Sequence, residues 1–376
     1  MTNEILSSSD LQAMRKEKGN ICVSIVVPTH RLSPERRTDK ILLERAIDRT
    51  TKLLYSKYPE VEIKPLQQAL EEMFRSIDFS RNADGIGFFL SPHIRHLVQF
   101  PYAVEEKVIV GDSFEMRDLL YHVQFAKAYF ALQINEKGAR LFEGTWNKLQ
   151  EIKDKHFPQP FEEEYAYQAP SRSTSYSGQA HVKGFEKDKS VLEEVHYKNF
   201  LRNVDKMLAN YLAGDVLLFL SGVNKKIARF LDISSHTKRI AGKITGNYNH
   251  RNQSELADAI HTLLHSYHQR EQLQLINEFR EKTGERRGIG GIQDIWRAAK
   301  EGKALLLLLE KDYRCPGFLT DDEYQLYLQP PVKPHRTIAD AADDLMEMVL
   351  EKNGRVFFTD NGLLKEFNRV ALITRY

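Results

Sequence analysis

Cysteine is almost missing from this chain of 376 residues: there are two, Cys22 inside an apolar run and Cys315 beside a proline. Such usage excludes a disulfide framework and a thiolate metal cluster, and it fits a reducing cytoplasm. No apolar run approaches the roughly 18 to 20 residues that span a bilayer, and the opening MTNEILSSSD lacks a basic start followed by an apolar core. Neither a membrane span nor a secretory leader is expected. Charge of one sign is lacking too: 54 basic residues against 52 acidic leave a formal +2, so any nucleic-acid contact must come from local patches. There is no G-x-S-x-G elbow, no H-E-x-x-H, no paired C-x-x-C and no P-loop. What is present, 41% hydrophobic and 28% charged residues, is the composition of a soluble globular protein with chain enough for two or three domains.

One stretch stands apart. Arg172-Ser173-Thr174-Ser175-Tyr176-Ser177-Gly178-Gln179-Ala180-His181 is polar, ends in a Gly-Gln tip and leads into a long amphipathic run. Serine and threonine compete with the backbone for hydrogen bonds, and Gly178 permits dihedrals that other residues avoid. From Phe157 to His181 neither helical nor strand period is sustained. A structureless stretch that long is either a working loop or slack.

The rest of the chain alternates helix and strand, which makes the fold class α/β. Asp10 to Lys18 reads as a short helix, and Ile21 to Val27 as a strand buried on both faces and closed by Pro28. Thr29-His30-Arg31 follows, then Arg36, Arg37 and Lys40; these cations are either a solvated loop and helix start or a contact with phosphate. Helices are expected over Ile41 to Lys57 and from Pro65, placed as a helix start, to Phe74. Ile86 to Leu90 and His96 to Phe100 read as paired strands. In the middle, Tyr129 to Ile134, Ala139 to Glu143 and Leu149 to Lys153 form a meander. A helix from Val191 to Leu212 follows, then the strand Val216 to Leu220, a helix at Lys225 to Phe230 and an edge strand at Lys238 to Ile244. From Ser254 to Gly284 the pattern stays helical, long enough to bridge two domains. The last part offers a helix from Ile292, the strand Ala304 to Leu309, a Pro-rich linker at Gln329 to Pro334, and strands at Arg355 to Thr359 and Val370 to Thr374. Thr337 and Asp340 have the spacing of an N-cap with an acidic residue in the first turn. Gly288-Ile289-Gly290-Gly291, with no strand before it, reads as a flexible helix start rather than an anion site. His261, His265 and His268 read as a polar helix face, since no carboxylate completes a ligand set. No metal and no cofactor are expected.

The order of parts resembles the archaeo-eukaryotic class-1 peptide release factors and the Pelota-type rescue proteins of the same superfamily. The middle segment carries this in Phe130 to Ile134, Gly138-Ala139-Arg140-Leu141-Phe142-Glu143-Gly144, the polar loop, the helix after it and Val216 to Gly222. The end carries it in Thr359-Asp360-Asn361-Gly362-Leu363-Leu364-Lys365-Glu366-Phe367 and Ala371 to Tyr376. The opening Ser24-Ile25-Val26-Val27-Pro28-Thr29-His30-Arg31 resembles the bacterial branch. The resemblance implies three domains. These are an N-terminal α/β domain over 1–122, an RNase H-like middle domain over 123–265 with the exposed loop at 157–189, and a C-terminal α/β/α sandwich over 266–376. The last is expected to resemble kink-turn-binding ribosomal proteins.

The family's Gly-Gly-Gln tip enters the ribosomal peptidyl-transferase centre, where its glutamine helps position water against the peptidyl-tRNA ester. Gly178 and Gln179 match its last two positions, and Ser177 replaces the first glycine. If that position needs a dihedral only glycine tolerates, serine costs about 1 kcal/mol or more. The stop-codon-reading N-I-K-S and Y-x-C-x-x-x-F patterns are missing from the first domain, which points away from codon-specific termination. The implied partners are the ribosome, its RNA and peptidyl-tRNA, with a translational GTPase as a further candidate; the implied role is on stalled or hibernating ribosomes, in the cytoplasm. Candidate RNA contacts are Arg172, His181, Lys183, Lys187 and Lys189 around the tip, and His30, Arg31, Arg36 and Arg37 in the first domain. Glutamine cannot be a general base, but its amide can orient water or stabilise an oxyanion. Two other readings stay open: an RNA- or tRNA-binding protein that keeps only the fold, and an RNase H-like nuclease, for which Asp215 is the one clear acidic candidate in the middle domain.

Overall fold

Ile21 through Val27 is apolar at nearly every position, and a strand with both faces covered is what forms there. The computed structural model describes residues 6, 8–30, 34–79, 82–125, 127–146, 148–161, 180–246 and 253–376, with the α5 side chains described from Glu193 onward. In chain order the first elements are α1 (Ser8–Lys16), β1 (Cys22–Pro28), α2 (Arg36–Lys57), α3 (Glu60–Arg75), β2 (Gly85–Leu90), β3 (Arg95–Phe100), β4 (Lys107–Gly111) and α4 (Arg117–Phe125). The sheet order is β3-β2-β1-β4, with β1 antiparallel to both neighbours. Alternation along β1 sends Val23, Ile25 and Val27 into a core with α2 and α3, and Cys22 and Val26 into a second core containing Met14, Phe114 and Leu119.

Two helix starts differ from the sequence expectation. Helix α2 begins at Arg36, five residues before the first apolar position, because Asp39 on its first turn is drawn into the interior by hydrogen bonds that periodicity does not report. Helix α3 begins after Pro59, so Pro65 lies inside it and not at its first position. The residues between, Glu60-Val61-Glu62, carry two acidic side chains on the first turn, where the helix dipole favours them.

The middle elements are β5 (Ala128–Ile134), β6 (Gly138–Thr145), β7 (Lys148–Glu151), β8 (Gln159–Pro160), α5 (Ala180–Leu208), β9 (Leu217–Gly222), α6 (Asn224–Leu231), β10 (Ile240–Thr245) and α7 (Gln253–Gly284). Their sheet has the order β10-β9-β5-β6-β7, with β8 paired to β6. Strands β5, β9 and β10 run parallel, while the β5-β6-β7 meander is antiparallel. One face packs under α5 and α6 through Phe130, Leu132, Leu218, Leu220 and Phe230. The other packs under α7 through Tyr129, Ala131, Phe219, Ile260 and Leu264.

The remaining elements are β11 (Gly288–Gly290), α8 (Ile292–Lys300), β12 (Ala304–Glu310), β13 (Gly317–Thr320), β14 (Leu326–Tyr327), β15 (His335–Ile338), α9 (Ala341–Glu351), β16 (Arg355–Thr359) and β17 (Val370–Thr374). A four-stranded sheet, β11-β17-β12-β16, has the end of α7 on one face, where Ile276 and Phe279 meet Leu306, Leu308 and Ile373. Helices α8 and α9 pack together and against β12, β16 and β17. Three expectations are corrected. Gly288–Gly290 is an edge strand, antiparallel to β17, and Gly291 with φ 85° turns the chain into α8. Asp340, not Thr337, caps α9 by accepting from the Ala342 N–H, and Thr337 belongs to β15. The Pro-rich stretch is the loop between β14 and β15 of a small three-stranded sheet.

Contacts divide the chain into two units, Met1–Ala126 with Glu271–Tyr376, and Lys127–Arg270. No helix among the described residues is long and apolar enough to cross a membrane.

Candidate functional site

Residues 162–179 lie outside the described residues, and the chain on either side of them is fixed by local chemistry. Gly138 has φ +137°, and a Cβ there would lie 2.0 Å from the Gln159 carbonyl oxygen, so only glycine lets β8 pair with β6 at this point. The next residue on is fixed twice: the Phe161 N–H donates to the Lys137 carbonyl at 2.9 Å, and its ring meets those of Phe200 and Tyr197 at 5.0 and 5.2 Å. Before β8, the Asp154 carboxylate accepts from the Tyr211 hydroxyl at 2.5 Å and from the backbone N–H groups of His156 and Phe157. Those bonds, the Tyr211 hydroxyl foremost, hold its carboxyl below the usual range. At the other root, α5 begins at Ala180, the residue after Gln179. Tyr197, Leu201, Val204 and Leu208 of α5 are buried against the sheet, each contributing roughly 1.5 to 3 kcal/mol.

Ser177, Gly178, Gln179 and Arg172 themselves lie outside the described residues, and His181, Lys183, Lys187 and Lys189 are described only as the backbone of α5. The described surface of the same unit adds cations that sequence reading passed over. Lys226 and Arg229 of α6 sit 5.6 and 5.8 Å from the centre of the Tyr197 ring, and Arg229 pairs with Glu194 at 3.0 Å. Burial pushes the Tyr197 phenol up to about 12. Lys225, Lys238 and Lys243 are exposed. Their signal was the pairs Lys225-Lys226, directly after a strand, and Lys238-Arg239.

In the other unit, His30 follows β1 and is tied to α2. Its backbone N–H and its ring Nδ1 meet Asp39 Oδ2 and Oδ1 at 2.9 and 2.7 Å, and Asn82 Nδ2 donates to Oδ2 at 2.6 Å. Arg36 and Arg37 occupy the first turn of α2, half-buried and exposed respectively, and Arg31 lies outside the described residues. The first N–H groups of α2 are already spent: Arg37 donates to Pro34 and Thr38 to Glu35, both at 3.0 Å. The helix start therefore offers side-chain cations in place of open amides. Of the predicted residues here, the structure joins His30 to a buried carboxylate one turn after Arg36.

His261 packs 4.9 Å from the Trp146 ring and His268 is buried. Among the described residues no group of three or more histidine, cysteine, aspartate or glutamate side chains could hold an ion.

Residues 128–303 match the family described as bacterial archaeo-eukaryotic release factor family 3. None of the curated proteins matches the chain. Among solved structures, yeast (S. cerevisiae) Dom34, a translation termination-like factor involved in RNA quality control, is 16% identical with a TM-score of 0.38, over 77% of this chain and 73% of that one. Archaeoglobus fulgidus Pelota is 14% identical with a TM-score of 0.36, over 98% and 92%. An archaeal translation termination factor, aRF1, is 13% identical with a TM-score of 0.25, over 99% of both chains.

Proposed function

Because residues 128–303 match bacterial archaeo-eukaryotic release factor family 3, we propose that the chain is a translation factor that binds the ribosome and presents Ser177-Gly178-Gln179 to the peptidyl-transferase centre, in rescue or hibernation. The observation that carries this reading is one of placement. The matched segment encloses the whole polar loop, both of its roots and the helix that starts at the residue after Gln179. The meander extended by parallel strands supports an RNase H-like middle domain. Ribosomal RNA faces the cations of α5, α6 and the first turn of α2, and a translational GTPase belongs to the same proposal as a delivery partner.

Catalysis in this reading is borrowed. Glutamine supplies an amide and a backbone N–H to orient water or an oxyanion, and the ribosome supplies the rest. Ser177 favours a second reading, in which the loop occupies the centre without hydrolysing the ester. A nuclease is disfavoured: the last two positions of the parallel strands, Gln133-Ile134, Ser221-Gly222 and Ile244-Thr245, carry no carboxylate, while Asp215 is exposed and precedes β9 at the opposite end.

The test is cosedimentation with bacterial ribosomes over a salt series, followed by peptidyl-tRNA release with wild type and Gln179→Ala. Salt-sensitive binding with release lost in the variant establishes a hydrolase; binding without release establishes a blocking factor. Absence of binding to vacant, stalled and hibernating ribosomes overturns the ribosomal reading.

A further inference from the structure

Four residues of α4, Arg117, Tyr121, Gln124 and Phe125, recur at the spacing of one helix face, and each meets a residue between Lys311 and Phe358. The two segments that touch here, Met1–Ala126 and Glu271–Tyr376, belong to one unit but keep separate cores. The cluster around Phe114 and Leu119 is drawn wholly from the first, and the cluster around Ile276 and Phe279 wholly from the second. What joins them is a seam of rings and charges, the kind of contact that domains of one chain can part without unfolding.

The charges of this seam balance only when it is open. On the N-terminal side Glu115 and Asp118 lie 3.7 and 2.7 Å from Lys107, and with Arg117 they make two anions and two cations. Helix α9, which contains no basic residue, brings Asp343 to within 2.7 Å of Arg117, and its cap Asp340 comes to 3.0 Å. None of the six side chains is more than 27% exposed. Closure therefore gathers four carboxylates around two cations away from water, a costly arrangement unless a proton joins them. Three of the four have donors: Lys107 for Asp118, Arg117 for Asp343, and Arg117 with the N–H groups of Cys315 and Ala342 for Asp340. Glu115 is the exception. Its buried Oε1 has no hydrogen-bond partner, the Lys107 ammonium standing beyond reach at 3.7 Å. Burial first, then the charge of Asp343, raises its carboxyl to about 7; Asp118 adds to the rise, and Lys107 and Arg117 oppose it. Among the described residues no group could hold a metal ion in the proton's place.

We propose that this seam is a proton-operated latch: Met1–Ala126 and Glu271–Tyr376 stay closed on each other while Glu115 carries a proton, and part when it passes that proton to water. The sign follows from the charge count. With the seam open, Glu115 faces a balanced set and ionises as an ordinary carboxyl near 4.5; with it closed, the proton stays up to about 7. Closure thus takes up one proton, is fully favoured below that window and weakens as pH rises through it. Lys18, which pairs with Glu347 and Glu351 of α9 on the exposed side, adds little. The latch belongs to this unit and does not depend on the ribosomal reading.

Amide hydrogen exchange on the full chain reads the opening. The Phe358 N–H has its hydrogen bond across the seam, to Gln124 Oε1, whereas Ile25 lies in β1 between β2 and β4. Protection of the two amides is compared at pH 6 and pH 8, each divided by its intrinsic exchange rate. Phe358 should be less protected than Ile25 at both, because the seam opens while the N-terminal sheet stays folded, and its protection should fall about tenfold from pH 6 to pH 8. In Glu115→Gln, which mimics the protonated carboxyl, the fall disappears and protection at pH 8 rises. Infrared difference spectra at pH 6 should show a neutral carboxyl band that this variant lacks. Equal protection of Phe358 and Ile25 means that the segments part only on unfolding, and a Phe358 protection that is the same at both pH values means that no proton is coupled. Either wild-type result overturns the latch without recourse to the variant, as does a fall that persists in Glu115→Gln.

Discussion

Arg117 Nε lies 2.8 Å from Asp343 Oδ1, joining the first turn of α4 to the first turn of α9 across 226 residues of sequence. The same guanidinium reaches Asp340 at 3.0 Å and the carbonyls of Lys311 and Tyr313, with only 4% of its side chain exposed. Asp340 already serves as the cap of α9. One cation therefore ties a capped helix, a strand exit and the N-terminal part of the chain together. Replacing it with methionine keeps the packing stem but leaves two carboxylates without their countercharge. The expected loss is about 3 to 5 kcal/mol of unfolding free energy, read from the denaturant midpoint. A loss under about 1 kcal/mol would show that this cluster is screened as a surface pair is.

Glu115 stands beside that cluster and contributes to its pH dependence. Burial, then the charge of Asp343, raises its carboxyl from an ordinary 4.5 to about 7, and Lys107 at 3.7 Å and Arg117 only partly oppose this. The folded protein thus holds a proton that the unfolded chain releases between pH 4.5 and about 7, so this group's contribution to stability is full below that window and declines as pH rises through it. Glu115→Gln should flatten that part of the stability profile and gain relative to wild type above pH 7. An unchanged slope in thermal melts from pH 5 to 8 would remove Glu115 as the cause.

Gly138→Ala tests the root of the loop. A methyl group there would press on the Gln159 carbonyl at 2.0 Å, so β8 must leave β6 or the backbone must shift. The expected cost is about 1 to 3 kcal/mol, with faster proteolysis between Phe161 and Ala180 and little change elsewhere. Limited proteolysis against wild type reads this directly, and an unchanged cleavage rate would mean that Phe161 and α5 hold the root without β8.

Strands with long apolar runs were legible in the sequence: β1, β12 and β17 stand where their residues place them, because hydrophobic burial is written locally. Polar burial is not. Asp39 reads as one more charge on a helix start, and only the fold, by bringing His30 and Asn82 to it, draws α2 back to Arg36. Gly288–Gly290 sets a single strand-forming side chain, Ile289, between two glycines, and becomes a strand because β17 offers it an edge to pair with. The short strands β13 to β15 are likewise set by pairing across a turn. In the candidate site, the Gly-Gln tip lies outside the described residues, and the cations of α6 near Tyr197 needed the packing of α6 against α5.

The remaining prediction concerns the residue that separates the two functional readings. On the proposed resemblance Ser177 stands in place of the first glycine of the tip, and if that position needs a left-handed conformation, a non-glycine residue there costs about 1 to 2 kcal/mol. If the loop is a hydrolytic device weakened by that cost, Ser177→Gly should raise ribosome-dependent release of peptide from peptidyl-tRNA by roughly 5- to 30-fold, with ribosome affinity unchanged. The gain must vanish in the Ser177→Gly, Gln179→Ala double variant, because the amide and not the backbone freedom does the positioning. If the loop instead blocks the centre, the glycine adds freedom without chemistry: release stays at background while occupancy weakens. Measuring both quantities on the same ribosomes distinguishes the outcomes, since a hydrolase gains rate at constant binding and a plug loses binding at zero rate.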